Sequence, residues 1–192
     1  MIKHYYQSIG EDWFSYPRIY KGAVKYFGFG SRFVEVGCWR GRSSVYLGVE
    51  VINSGKQIDV VCVDTWKGSE EHQGMDILND DGLYQEFLHN IEPLSSAITP
   101  LRATSLEAAD TFEDESLDFV FIDASHDYEN VLADIKAWYC KVKPGGVISG
   151  HDYPDWPGVK KAVDEVFQKD KIARYGSWVH QKGGKNDFHR YI

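Results

Sequence analysis

From residue 31 almost to the end of the chain, short apolar runs alternate with segments whose apolar positions recur every three or four residues. That alternation predicts parallel strands covered by helices on both faces. Strands are expected at 32–36, 57–64, 97–103, 117–124 and 146–152. The first intervening helix, about 42–53, carries Val45, Val49 and Ile52 on one face and stops at Gly55. Leu83, Phe87, Leu88 and Ile91 mark a helix at 81–91, and a short one is expected at 105–112. Asp127 caps the next, whose stripe is Val131, Leu132, Ile135, Trp138 and Val142, and Lys141, Lys143 and Pro144-Gly145-Gly146 end it. Val159, Ala162, Val163, Val166 and Phe167 define a last helix at 157–167. Beyond it no helix is predicted, and the final two strands read as an antiparallel hairpin around Gly183-Gly184. Residues 65–80 form an acidic, poorly periodic loop, of a length uncommon without a function.

Composition adds boundaries to this picture. The 192 residues fit one sizeable core. No apolar run is long enough to span a bilayer, and the N-terminus lacks the apolar core and cleavage site of a secretory signal, so no membrane partner and a cytoplasmic location are expected. Residues 1–30 read as an aromatic-rich extension packed on or over a domain at 31–192. Its Tyr5, Tyr6, Trp13, Phe14, Tyr16 and Tyr20 fit a packed surface helix, a subunit contact in a homo-oligomer, or a cover over substrate. Cys38, Cys62 and Cys140 lack disulfide or zinc spacing and are expected to be reduced. A net charge of −8 argues against a nucleic-acid substrate.

In open α/β sheets ligands bind beyond the carboxyl ends of the strands, so the residues there are the candidates for chemistry. They are Glu35 to Gly41, Asp64 to Trp66, Thr104-Ser105, Asp123 to His126, and His151-Asp152. A dinucleotide fingerprint would need glycine where this chain has Gly37, Trp39 and Arg42, and the indole of Trp39 opposes close approach of a pyrophosphate. Glu35 would repel phosphate but attract an ammonium group. Asp64 suits a pair of ribose hydroxyls. S-adenosylmethionine has the ribose and the ammonium, and no phosphate.

The stretches "FVEVGCWRGRSS", "VCVDTW", "LDFVFIDASHDYENVLADIKAW" and "VKPGGVISGHDY" resemble the class I S-adenosylmethionine-dependent methyltransferases, nearest the small-molecule branch of macrocin-type O-methyltransferases. The resemblance runs from residue 31 to the end. It implies a Rossmann-like, seven-stranded, mostly parallel sheet with helices on both faces and an antiparallel C-terminal strand. It also implies cofactor contacts at Glu35, Gly37, Asp64, Trp66 and Ser105, a set completed by Trp39, Gly41 and Asp123. Metal-dependent relatives hold Mg²⁺ with acids after the fourth and fifth strands, which makes Asp123 and Asp152 the candidates. Here His126 or His151 stands where a further acid is common, leaving Mg²⁺, Mn²⁺, another divalent ion or no metal open.

The function expected is methyl transfer to a hydroxyl on a small metabolite, with Asp123, His126 and His151 as candidate catalytic residues. Two rivals are a nicotinamide-dependent oxidoreductase, opposed by the missing glycines, and a noncatalytic cofactor-binding protein.

Overall fold

The computed structural model describes residues 1–69, 72–184 and 187–192. Seven strands form one sheet: β1 (Arg32–Val36), β2 (Asp59–Asp64), β3 (Ile98–Arg102), β4 (Leu117–Ile122), β5 (Val142–Gly150), β6 (Ile172–Arg174) and β7 (Ser177–Gln181), in the order β3-β2-β1-β4-β5-β7-β6. The first five pair in parallel; β7 runs antiparallel to both β5 and β6. Helices α1 (Pro17–Tyr26), α2 (Arg42–Ser54) and α3 (Gly82–Ile91) cover one face, and α4 (Ser105–Asp110), α5 (Tyr128–Lys141) and α6 (Pro157–Phe167) the other.

Alternation along the strands divides the core in two. Phe33, Cys62, Phe119 and Phe121 meet Tyr20, Val45, Leu47 and Phe87 on the first face. On the second, Val34, Val36, Val120 and Ile148 meet Val131, Ile135, Trp138 and Val163. The caps follow local chemistry. Asp127 accepts the backbone N–H of Asn130 at 3.0 Å, Thr104 and Glu107 form a capping box on α4, and Gly55 closes α2 with φ 69°. Cys38 and Cys62 are buried free thiols, and Cys140 is a half-buried one. No helix among the described residues is long and apolar enough to cross a membrane.

Two expected elements differ. The antiparallel hairpin turns at Tyr175 (φ 54°) and Gly176 (φ 72°), with both central residues left-handed as its two-residue loop requires. Where the last strand was expected at 188–192, Asp187–Tyr191 form a 3-10 turn packed against α1. In addition, β5 begins at Val142, where α5 was expected to end, because Lys143-Pro144-Gly145-Gly146 continues as irregular strand with a register shift against β4.

Asp134 of α5 is 5% exposed, and burial pushes its carboxyl up to about 6 despite a hydrogen bond with Ser105. A folded-state value above the unfolded one means that its ionisation opposes folding above about pH 6 and has no effect below the unfolded value near 4. Asp134→Asn should therefore raise stability at pH 8 by up to roughly 3 kcal/mol, the cost of ionising a carboxyl held near 6 rather than 4. Urea unfolding at pH 8 and pH 4 checks this: the gain should vanish at the lower pH.

Candidate active site

The strand order reverses at β1, whose neighbours are β2 and β4, and a cleft of about 720 Å³ opens there beyond the strand ends. Gly37 is the hinge of its floor. The N–H of Gly37 donates to Val63 O at 2.8 Å, and that of Asp123 to Val36 O at 2.7 Å, so the turn after β1 is pinned between β2 and β4. A Cβ on Gly37 would lie 2.0 Å from the carbonyl oxygen of Asp123, and φ is 85°; only glycine fits.

Asp64 ends β2 and organises the turn. Its Oδ2 accepts the backbone N–H groups of Cys38 (2.8 Å) and Trp39 (2.9 Å), and its Oδ1 that of Trp66 (2.7 Å). These bonds hold Trp39 (φ 49°) and Trp66 (φ 51°) in the left-handed region, which side chains rarely adopt. Gly37, Trp39, Asp64, Ser105 and Asp123 all line the cleft.

Three of the residues expected to bind cofactor do not line it. Glu35 is fully buried: Tyr20 donates to its Oε1 at 2.7 Å, Ser44 donates to its Oε2, and burial pushes its pKa up. The reason is strand alternation, which sends Glu35 to the α1–α2 face with Phe33 rather than outward along the rim. Trp66 is buried against Tyr84 and Phe87, and its Nε1 donates to Trp39 O. Gly41 (φ 87°) precedes α2, facing Phe87. Ser105 does reach the cleft, while its hydroxyl also accepts from Trp138 Nε1 at 2.9 Å, tying α4 to α5.

At the other end of the cleft, residues after β4 and β5 converge. His126 Nε2 lies 2.9 Å from Asp152 Oδ2, with its ring stacked on Trp156 at 4.2 Å. His151 Nδ1 lies 3.2 Å from Asp152 Oδ1 and 3.7 Å from Asp123 Oδ1. Ser15 donates to Tyr175 O at 3.2 Å, so its oxygen accepts from His151 Nε2 at 2.8 Å. Both ring nitrogens thus face acceptors. Burial works against charging His151, but Asp123 and Asp152 outweigh it and push its pKa up to about 10. Burial likewise opposes ionisation of Asp152, yet His126 and His151 hold its carboxyl well below the usual range. At neutral pH His151 is an imidazolium, a poor proton acceptor.

Asp123, His126 and Asp152 each offer one ligand atom, all within 4.8 Å of one another. Two carboxylates and an imidazole suit a divalent ion such as Mn²⁺. The expected pair is thereby joined by His126.

The segment before α1 supplies groups that residue patterns did not assign to the site. Tyr16 donates to Asp123 Oδ2 at 2.8 Å, Glu11 accepts from Trp39 Nε1 at 3.0 Å, and Trp13 flanks Trp39 and His72. Of the acidic stretch at 70–76, Glu70 and Glu71 lie outside the described residues, and His72 stacks on Trp39 at 4.3 Å.

The charges of the cleft select among cofactors. Glu11, Asp64, Asp123 and Asp152 line it, and among the described residues no lysine does. The guanidinium of Arg42 is engaged by Asp12 and by the carbonyl of Ile9. A pyrophosphate would meet carboxylates here; a sulfonium with an ammonium would be matched.

Comparison with known proteins agrees with this fold. The uncharacterized protein y4gI of Sinorhizobium fredii is 32% identical over 121 residues, which are 63% of this chain and 13% of that protein. The chain spans 63% of the uncharacterized protein R132 of Acanthamoeba polyphaga mimivirus, at 27% identity over 76% of this chain, and so covers less than two thirds of either relative. Among solved structures, the O-methyltransferase NovP superposes with a TM-score of 0.66 at 18% identity, covering 88% of this chain and 78% of its own. The O-methyltransferase from Bacillus cereus in complex with S-adenosylhomocysteine gives 0.62 at 19% identity, covering 90% and 83%. Residues 34–153 match the family described as a methyltransferase domain, a span that runs from β1 through the Asp64 turn to the Asp123–Asp152 cluster, and the chain belongs to that family.

Proposed function

We propose that the chain transfers the methyl group of S-adenosylmethionine to a hydroxyl on a small acceptor. The observation that carries this reading is one acid-lined cleft joining Asp64 to Asp123, His126 and Asp152 at the strand-order reversal, in which, among the described residues, the cations Arg42 and His151 are both engaged by carboxylates. Asp64, at the end of β2, would receive the ribose, and the Gly37 turn would receive the amino-acid tail. The bound cofactor supplies an activated methyl group, so this chain's task is chiefly alignment. Alignment can lower a barrier by roughly 7–11 kcal/mol, whereas a general base contributes about 10²–10⁴-fold.

The acceptor's proton has two routes. His126, oriented by Asp152, can take it. A divalent ion at Asp123, His126 and Asp152 would instead acidify the hydroxyl. His151, whose charged form Asp123 and Asp152 favour, is less suited than His126 to take the proton while both carboxylates face it.

Calorimetry should show binding of S-adenosylhomocysteine and none of NAD, and an acceptor panel should release S-adenosylhomocysteine. Binding of NAD alone would sink the proposal. Turnover that survives dialysis against EDTA assigns the proton to His126, while loss restored by Mn²⁺ shows that the ion acidifies the hydroxyl, whose proton then passes to solvent.

A further inference from the structure

We infer that Tyr16 is a positioning residue for Asp123, its hydroxyl fixing one carboxylate oxygen so that the other is presented to the cleft. The inference rests on the methyl-transfer reading of this site and assigns a role to the segment before α1.

Asp123 stands just past the end of β4, where backbone hydrogen bonding to Val36 fixes its main chain but leaves its side-chain torsions free. Tyr16 removes that freedom. It is 2% exposed, its ring is stacked on Phe121 at 4.3 Å, and its hydroxyl donates to Asp123 Oδ2 at 2.8 Å. Oδ1 is then left on the side of His151 Nδ1, 3.7 Å away. A phenol buried in this way remains a donor: burial, and then the charge of Asp123, push its pKa well above the usual value.

The placement is built rather than incidental. Tyr20 lies one helical turn beyond Tyr16, the two rings pack at 5.3 Å, and its hydroxyl donates in the same manner to Glu35 Oε1 at 2.7 Å. The start of α1 and the residue before it therefore carry two phenols four residues apart, one holding the carboxylate of Glu35 in β1 and the other that of Asp123 just past β4. The neighbouring Ser15 meets His151 Nε2 at 2.8 Å, so consecutive residues of this segment touch two members of the cluster.

The test compares Tyr16→Phe, which keeps the ring, with Tyr16→Leu, which removes it. In a crystal structure of Tyr16→Phe, the Asp123 carboxylate should leave its present rotamer or divide between two. Affinity for S-adenosylhomocysteine should stay within about threefold of the unsubstituted protein, while acceptor-dependent kcat falls at least about tenfold with KM for the cofactor unchanged. An unmoved Asp123 in Tyr16→Phe overturns the inference, and so does a loss confined to Tyr16→Leu, which would mark the ring as packing alone. If the unsubstituted protein fails to bind S-adenosylhomocysteine, the methyl-transfer reading fails, and the Asp123 rotamer still decides the role of Tyr16.

Discussion

Asp64→Ala should weaken binding of S-adenosylhomocysteine by at least about a hundredfold, or roughly 2.8 kcal/mol. Two losses combine. The ribose loses the carboxylate proposed to hold its hydroxyls, and three backbone N–H groups, of Cys38, Trp39 and Trp66, lose their acceptor. Each partly buried donor left unpaired costs about 1–3 kcal/mol, and the left-handed conformations of Trp39 and Trp66 lose the bonds that maintain them. Asp64→Asn keeps the size of the side chain but turns an amide N–H₂ towards donors, so its loss should fall between that of Ala and the unsubstituted protein. Isothermal calorimetry measures all three, and an Asp64→Ala affinity within threefold of the unsubstituted protein would contradict the proposed ribose site.

Gly37→Ala should be more damaging to the fold than any other single methyl addition at the site. The new Cβ would sit 2.0 Å from the carbonyl oxygen of Asp123 and 2.5 Å from its carbon, and both are backbone atoms that cannot swing aside. A left-handed φ of 85° adds about 1 kcal/mol, and relieving the overlap would separate the turn from β4. At about 2–4 °C per kcal/mol for a chain of this size, a combined cost of roughly 4 kcal/mol lowers Tm by about 10 °C or more. Gly30→Ala is the control, since Gly30 also has positive φ (79°) but nothing within 4 Å of its Cβ. Thermal unfolding of the two variants side by side gives the result, and equal stability would show that the contact between Gly37 and Asp123 does not hold the turn.

The parallel strands and their helices were legible because period and burial agree. Val131, Ile135 and Trp138 form a stripe in the sequence and line one core in the structure. The rim residues followed from knowing where strands end, and Asp64, Asp123, His126 and Asp152 do meet at one cleft. Glu35 did not follow, because a residue two before the turn points across the sheet, and its parity with Phe33 was the available signal. The hairpin was misplaced because Gly183-Gly184 is the stronger turn pattern, whereas Tyr175 adopts a conformation that tyrosine rarely takes. Tyr16 and Ser15 reach partners 107 and 136 residues away, and no local pattern encodes such contacts. The four-residue spacing of Tyr16 and Tyr20 was visible, but which carboxylates they serve was not.

The shortage of free cations in the cleft bears on turnover as well as on binding. In the proposed reaction a positively charged sulfonium becomes an uncharged thioether, so surroundings rich in carboxylates would hold the reactant more firmly than the spent product. Under that proposal product departure would be favoured by the same side chains that draw the reactant in, a preference that should fade as added electrolyte shields them.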